Sequence, residues 1–391
     1  MMWTLILTSL ILATPVEIDV KTLDGQTVSG SIVGLDADRL TFKTSKGSRS
    51  LDIDKLLGIS PKRQPSTPHR QSMVWVDLSD GSSVTGQNFT TQNGQAEIKT
   101  TNGIVKLPTK TVNAVRFGGV ANSLQEEWND IRKTNTDSDL LVIRKGDSID
   151  YHEGVIGNVN NKVIKFTLDD DTLSVKRSKV FGLIYHNVAD QSQQPTCWIT
   201  LSNGSRWAAT ACELTNETLQ WTTPTRIAAS YPMVGVTQID FSQGKIVYLS
   251  DLTPESTSWS PYFDTADKSP SRQQFFAPRA ASEPLLLGKK TYQKGLTIHS
   301  RTEMVYRLPD GFRRFKAAVG IDDRVRPNGN VQLIITGNDR ILHNSTITGT
   351  DTPKTLDLDI TDIKRLSILV DFGKELDVSD HLDMCEARLI R

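Results

Sequence analysis

The chain is short of sulfur, of surplus charge and of aromatic rings. Three cysteines among 391 residues rule out a disulfide-built scaffold, and their spacing matches no zinc site. Cys197 and Cys212 flank an expected hairpin turn at Asn203-Gly204, which leaves two readings open, a disulfide or two small buried residues. Cys385 falls in an alternating apolar strand and is expected in the core. Basic and acidic residues number 45 each. Without a basic footprint there is no counterion release to drive binding, so no nucleic acid is expected as a partner. Aromatics make up 7% and hydrophobic residues 37%, enough for globular domains.

Catalytic signatures are missing as well. There is no G-x-S-x-G, H-E-x-x-H, Walker loop or dinucleotide fingerprint. Asp322-Asp323 cannot form a glycosidase dyad, because neighbours in a strand point to opposite faces. Asp169–Asp171 reads as a hairpin turn. Asp380-His381 has no positioned nucleophile. No enzyme is expected. The single long apolar run, Trp3–Ala13, is too short to span a bilayer. Residues 1–15 read as a signal peptide, although no Lys or Arg precedes the run and Ile11 is not small. The other reading is a first strand of the next domain. Export would place the protein outside the cell, in the periplasm or on the surface, with no membrane span.

What the chain does contain is repetition. Four segments, 16–62, 73–118, 139–188 and 196–250, share one plan of five short strands over about 45–50 residues. Asp24-Gly25, Asp80-Gly81, Lys145-Gly146-Asp147 and Asn203-Gly204 mark the first turn of each. The pattern resembles the SH3-like or Sm-like barrel, so four tandem small barrels are expected. Residues 64–72 lie in a Pro-rich basic linker, Pro61–Ser72. Residues 121–137 read as a helical linker, with Ser123 as N-cap and Leu124, Trp128 and Ile131 on one face. Trp128 is expected to anchor that helix to a barrel. Trp198, Trp207 and Trp221 in the fourth segment form either a barrel core or an aromatic patch.

The last third reads as a two-sheet sandwich. Its strands are expected at Leu285–Leu287, Glu303–Leu308, Arg314–Ile321, Asn330–Thr336, Arg340–Thr346, Lys354–Asp359, Arg365–Phe372 and Cys385–Ile390. Three blocks stand out: Lys294–His299, Arg314–Asp323 and Asp380–Leu389. In this order they resemble the NPCBM family, the "novel putative carbohydrate-binding module". The resemblance covers Trp259 to Arg391 and places the domain at 255–391. It implies a galactose-binding-like jelly roll, making the whole chain all-β.

The same resemblance implies a glycan or polysaccharide ligand. The sugar-binding candidates are His299, Asp322, Asp323, Asp380 and His381, since carboxylates and imidazoles supply directional partners for hydroxyls. Other roles compete: His299 could satisfy buried backbone groups, and Asp322-Asp323 could cap a turn. Related modules imply a structural calcium, here with Asp383 and Glu386 as candidate ligands. Met384 replaces the family's aromatic residue. An aromatic that packs in the core is readily replaced by Met; one that stacks on sugar is not. The expected function is non-catalytic carbohydrate binding by the sandwich, with the barrels as spacers or docking modules for protein partners. The alternative is an envelope scaffold whose sandwich no longer binds sugar.

Overall fold

The computed structural model describes residues 16–63, 73–119, 122–186, 193–260, 262, 279–280, 284–374 and 376–391. The signal-peptide reading, and residues 64–72 of the basic linker, lie outside these residues. The chain divides into two compact units, Met1–Gln243 and Gly244–Arg391.

In the first unit, segment one shows the repeated plan most simply. Its strands are Glu17–Thr22, Thr27–Leu35, Arg39–Thr44, Gly47–Asp52 and Leu56–Pro61. The first pairs with the second and the fifth, the second with the third, and the third with the fourth, all antiparallel. Inward residues alternate along them, as Ile18 and Val20, then Leu40 and Phe42. Each segment tightens into one 3₁₀ turn before its last strand, at Ile53–Lys55, Thr109–Thr111, Arg177–Lys179 and Met233–Gly235. The second strand bends where Gly30, Gly86 and Gly154 approach a facing carbonyl, too close for a side chain: an added Cβ would lie 2.5, 2.9 and 2.3 Å from that oxygen.

The strand pairings do not divide the first unit into four separate barrels. Among the described residues no pairing closes a segment on itself, and 19 strands join into one antiparallel sheet. Last strand pairs with last strand between segments one and four (Ile239 with Ile59) and between two and three (Val115 with Leu183). The physical reason is core size. A segment this small buries little alone. Together the segments share one cluster that includes Phe42, Phe89, Phe166 and Trp207. The helix is shorter than expected, Asn122–Ile131, and begins one residue before Ser123. Trp128 is buried and meets Phe181 edge-on at 5.5 Å, as an anchor should. Cys197 and Cys212 are both buried and unbridged, the Cys197 thiol donating to Cys212 Sγ at 3.9 Å.

The second unit is a β-sandwich. One sheet contains Arg279–Ala280, Gly295–His299, His381–Ile390, Arg314–Ile321 and Lys354–Asp359 in that order, with Ile246–Tyr248 also on His381–Ile390. The other runs Ser256–Trp259, Thr302–Arg307, Arg365–Phe372, Asn330–Gly337, Arg340–Thr348. Their inner faces supply one core, including Ile298, Phe315, Leu333, Ile368 and Met384. Met384 is fully buried there, so it fills core volume. The unit starts earlier than residue 255, because Ile246 pairs with Ile390 and Tyr248 with Arg388. A hairpin, Leu285–Leu287 with Lys290–Tyr292, covers the outer face of the first sheet. There Leu285 and Leu287 cluster with the buried Cys385.

Candidate functional site

Two strands of the first sheet bring the predicted residues together. In register, Thr297 faces Asp383, Ile298 faces Leu382 and His299 faces His381. Side chains alternate across a sheet. Ile298, Leu382 and Met384 enter the core, so Thr297, His299, His381 and Asp383 share the outer face. Asp383 is fully buried, and Gly320 on its other flank has no side chain to crowd it. Its Oδ1 accepts the Thr297 hydroxyl at 2.9 Å, while Oδ2 has no hydrogen-bond partner. Burial, then the charge of nearby Asp322, push its carboxyl up to about 7. The His299 and His381 rings meet edge-on with centroids 4.1 Å apart. Burial pulls His381 below the usual imidazole value, against the opposing pull of Asp322. At neutral pH its half-buried ring is uncharged, with one nitrogen donating and the other accepting.

The remaining candidates hold backbone. Asp322 is buried, and its Oδ1 accepts the Arg324 amide at 2.8 Å, which is the turn-cap role. Asp323 accepts the amides of Gly288 at 3.1 Å and Lys289 at 2.7 Å, tying the hairpin to the sheet. Asp380 is buried and accepts the Asn330 amide at 2.9 Å. The last strand begins at His381, four residues before the expected start at Cys385, so His381–Asp383 belongs to the strand itself.

Asp383 and Glu386, the two candidate calcium ligands, both lie in the last strand. A β-bulge separates their pairings, with Glu386 at a positive φ of 52°. The Glu386 carboxylate accepts Arg388 Nη1 at 2.8 Å. Calcium needs six to eight oxygens, and among the described residues no group of three or more His, Cys, Asp or Glu side chains could hold a metal.

Sequence reasoning missed Thr297, which its spacing of two from His299 could have placed on the same face. It also missed a polar cleft of about 820 Å³ on the second sheet, lined by Glu255, Glu303, Asn338, Asp339, Arg365 and Ser367. There Glu255 accepts Arg365 Nε at 2.7 Å and Arg307 Nε at 3.0 Å, and Glu303 accepts the Ser367 hydroxyl at 2.7 Å.

The second unit is therefore a β-sandwich with a small polar cluster on its outer face. Residues 245–390 match the NPCBM/NEW2 domain. Solved structures similar to the chain include a CBM51 module of Clostridium perfringens GH95 in complex with methyl-galactose. Identity is 24%, over 37% of this chain and 99% of that one, with a TM-score of 0.30. Another is the second CBM51 with the INT domains of Clostridium perfringens ZmpB, in complex with GlcNAc. Identity is 18%, over 58% of this chain and 43% of that one, with a TM-score of 0.31. A third is the M60 catalytic domain of ZmpB with both its CBM51 domains. Identity is 12%, over 96% of this chain and 51% of that one, with a TM-score of 0.32. No curated protein matches the chain. No helix among the described residues is long and apolar enough to cross a membrane.

Proposed function

We propose that the second unit is a non-catalytic glycan-binding module, and that the outer-face cluster of Thr297, His299 and His381 recognises sugar hydroxyls. The observation that carries this reading is the pair of half-buried imidazoles on a rigid sheet, set above a buried carboxyl and within the segment that matches NPCBM/NEW2. An uncharged imidazole offers one donor and one acceptor in fixed directions, which suits a hydroxyl that both gives and accepts. The first unit then acts as spacer or docking module, and a location outside the cell accompanies this role.

The full chain is tested on immobilised galactose- and N-acetylglucosamine-terminated glycans, followed by calorimetry on the best binder. His381→Ala and His299→Ala are expected to weaken binding at least about tenfold, the loss of one good polar contact. Glu303→Ala in the cleft is expected to leave it unchanged. Binding that survives both histidine changes but fails with Glu303→Ala moves the site to the cleft. No binding to any glycan supports the scaffold reading, which draws on Asp322, Asp323 and Asp380 being engaged with backbone.

A further inference from the structure

The first unit contains a cavity of about 210 Å³ that the glycan reading leaves without a role. Two strand edges border it. One is Gly103–Pro108, the strand just before the 3₁₀ turn of segment two. The other is Ala228–Pro232, the matching strand of segment four. Among the described residues the first pairs only with Gln95–Thr100 and the second only with Thr218–Thr222. In an antiparallel pair, alternate residues turn their amides away from the partner strand. Counted from the two-residue turn Thr101-Asn102, those residues are Ile104 and Lys106. Two unpaired backbone edges therefore line one slot.

The floor of the slot is aromatic and fixed. Trp207 and Trp221 meet edge-on at 5.6 Å, and both are buried. The Trp221 indole N–H is buried without an acceptor. Buried Asn203 and Ser205 add polar groups. The walls are locked together by buried hydrogen bonds between segments two and four, from the Thr85 amide to Ser205 Oγ and from the Ala208 amide to Ser82 Oγ, both 2.9 Å. Lys106, the charged residue of the lining, is paired with Glu97 at 2.9 Å. Ile104 is 58% exposed on its edge. An unpaired edge whose one charge, Lys106, is held by Glu97 on the neighbouring strand remains open to another strand.

We propose that this slot binds an extended peptide segment of a partner protein by strand addition to the Gly103–Pro108 edge. Main-chain hydrogen bonds supply the affinity, and alternate side chains of the peptide settle against Trp207, Trp221 and Tyr231. A compact sugar ring could use Asn203 and Ser205 but would leave the row of edge amides unused. The preformed walls reduce the ordering cost of binding.

The test selects a display library of random linear ten-residue peptides on the full chain. The best peptide is then titrated against wild type, Ile104→Pro and Ile104→Thr. Proline removes the outward amide at an exposed edge, where it is tolerated; threonine keeps it. The expected result is at least about a tenfold loss with Ile104→Pro, near wild-type affinity with Ile104→Thr, and slowed amide exchange at Ile104 and Lys106 when the peptide is bound. Equal binding to wild type and Ile104→Pro overturns the proposal, and so does a selection that enriches no peptide beyond the level seen on Ile104→Pro.

Discussion

Ser82 and Ser205 hold each other's segments in a reciprocal exchange. The Ser205 hydroxyl accepts the amide of Thr85 and the Ser82 hydroxyl accepts the amide of Ala208, each at 2.9 Å and fully buried. Both serines follow a tight turn in which the turn residue accepts the serine's own amide, Asp80 for Ser82 and Asn203 for Ser205. The match makes segments two and four near-symmetric partners at this junction. Ser205→Ala would leave the Thr85 amide buried with no acceptor, at a cost of about 1–3 kcal/mol. Urea unfolding monitored on the first unit should show this, and Ser82→Ala should cost a similar amount. A change too small to measure in both would mean that the two hydroxyls are not the tie between the segments.

The turns themselves were legible in the sequence. Asp80-Gly81 and Asn203-Gly204 announce tight turns, and Gly81 and Gly204 adopt φ of 85° and 87°. The hydroxyl one residue further on gave no such sign. Its partner lies 120 residues away along the chain for Ser205 and 126 for Ser82. Local pattern describes strands and turns; it says nothing about which segment lies beside which. That is why the five-strand repeat was readable and the shared sheet was not.

Gly182 and Trp128 predict a second effect. A Cβ at Gly182 would lie 2.7 Å from the Trp128 ring and 2.8 Å from the Val115 carbonyl oxygen. The oxygen belongs to the paired strand and cannot retreat. Gly182→Ala should destabilise the first unit by about 1–3 kcal/mol through overpacking. Trp128→Ala should cost about 3–5 kcal/mol by emptying the same site. Thermal unfolding checks both. If the helix were only loosely docked, Trp128→Ala would be nearly silent, while Gly182→Ala would still meet the Val115 carbonyl.

In the sandwich, strands such as Arg314–Ile321 and Arg365–Phe372 were legible because one face alternates into the core. Gly295–His299 and the start of the last strand were not. Their outer residues are polar, yet Asp383 is fully buried and Thr297, His299 and His381 partly so. Residues His381-Leu382-Asp383 therefore fell outside the strand expected from Cys385, although both faces of the strand are covered. The cluster's membership was thus partly visible, and its geometry depended on strand register.

Asp383 should give the sandwich a distinctive pH dependence. Its folded value, raised to about 7 by burial and then by Asp322, lies above the unfolded value of 3.8. Between these values the folded state keeps a proton that the unfolded chain releases. The contribution is complete below the unfolded value and disappears as pH rises through about 7. His381 acts in the opposite direction. Burial depresses it from 6.5, so its contribution is present above that value and disappears as pH falls through the folded one. Asp383→Asn keeps an acceptor for Thr297 and removes the charge. It should flatten the decline from pH 4 to 7 and stabilise the unit at pH 8 by on the order of 2 kcal/mol. Unfolding midpoints across that range read the slope directly, and an unchanged slope in the variant would assign it to another group.

Asp323 predicts a local opening rather than a global loss. Its carboxylate accepts the amides of Gly288 and Lys289 and lies 3.4 Å from Arg326 Nη1. Burial works to raise its pKa, but the two amides and the guanidinium outweigh it and hold the group below the usual carboxylate range. Its contribution is therefore present above the unfolded value and disappears only in strong acid. The hairpin it secures carries Leu285 and Leu287 over Cys385, whose thiol is fully buried and pushed upward by that burial. A buried thiol with a raised pKa is inert. Asp323→Ala should release the hairpin and let Cys385 react with a maleimide or an aromatic disulfide at least about tenfold faster, while Asp323→Asn, which keeps an acceptor, should restore part of the protection. Mass spectrometry of the labelled peptide separates Cys385 from Cys197 and Cys212. Equal acceleration at all three would signal global unfolding, and no acceleration would show that the apolar contacts of Leu285 and Leu287 hold the hairpin without the carboxylate.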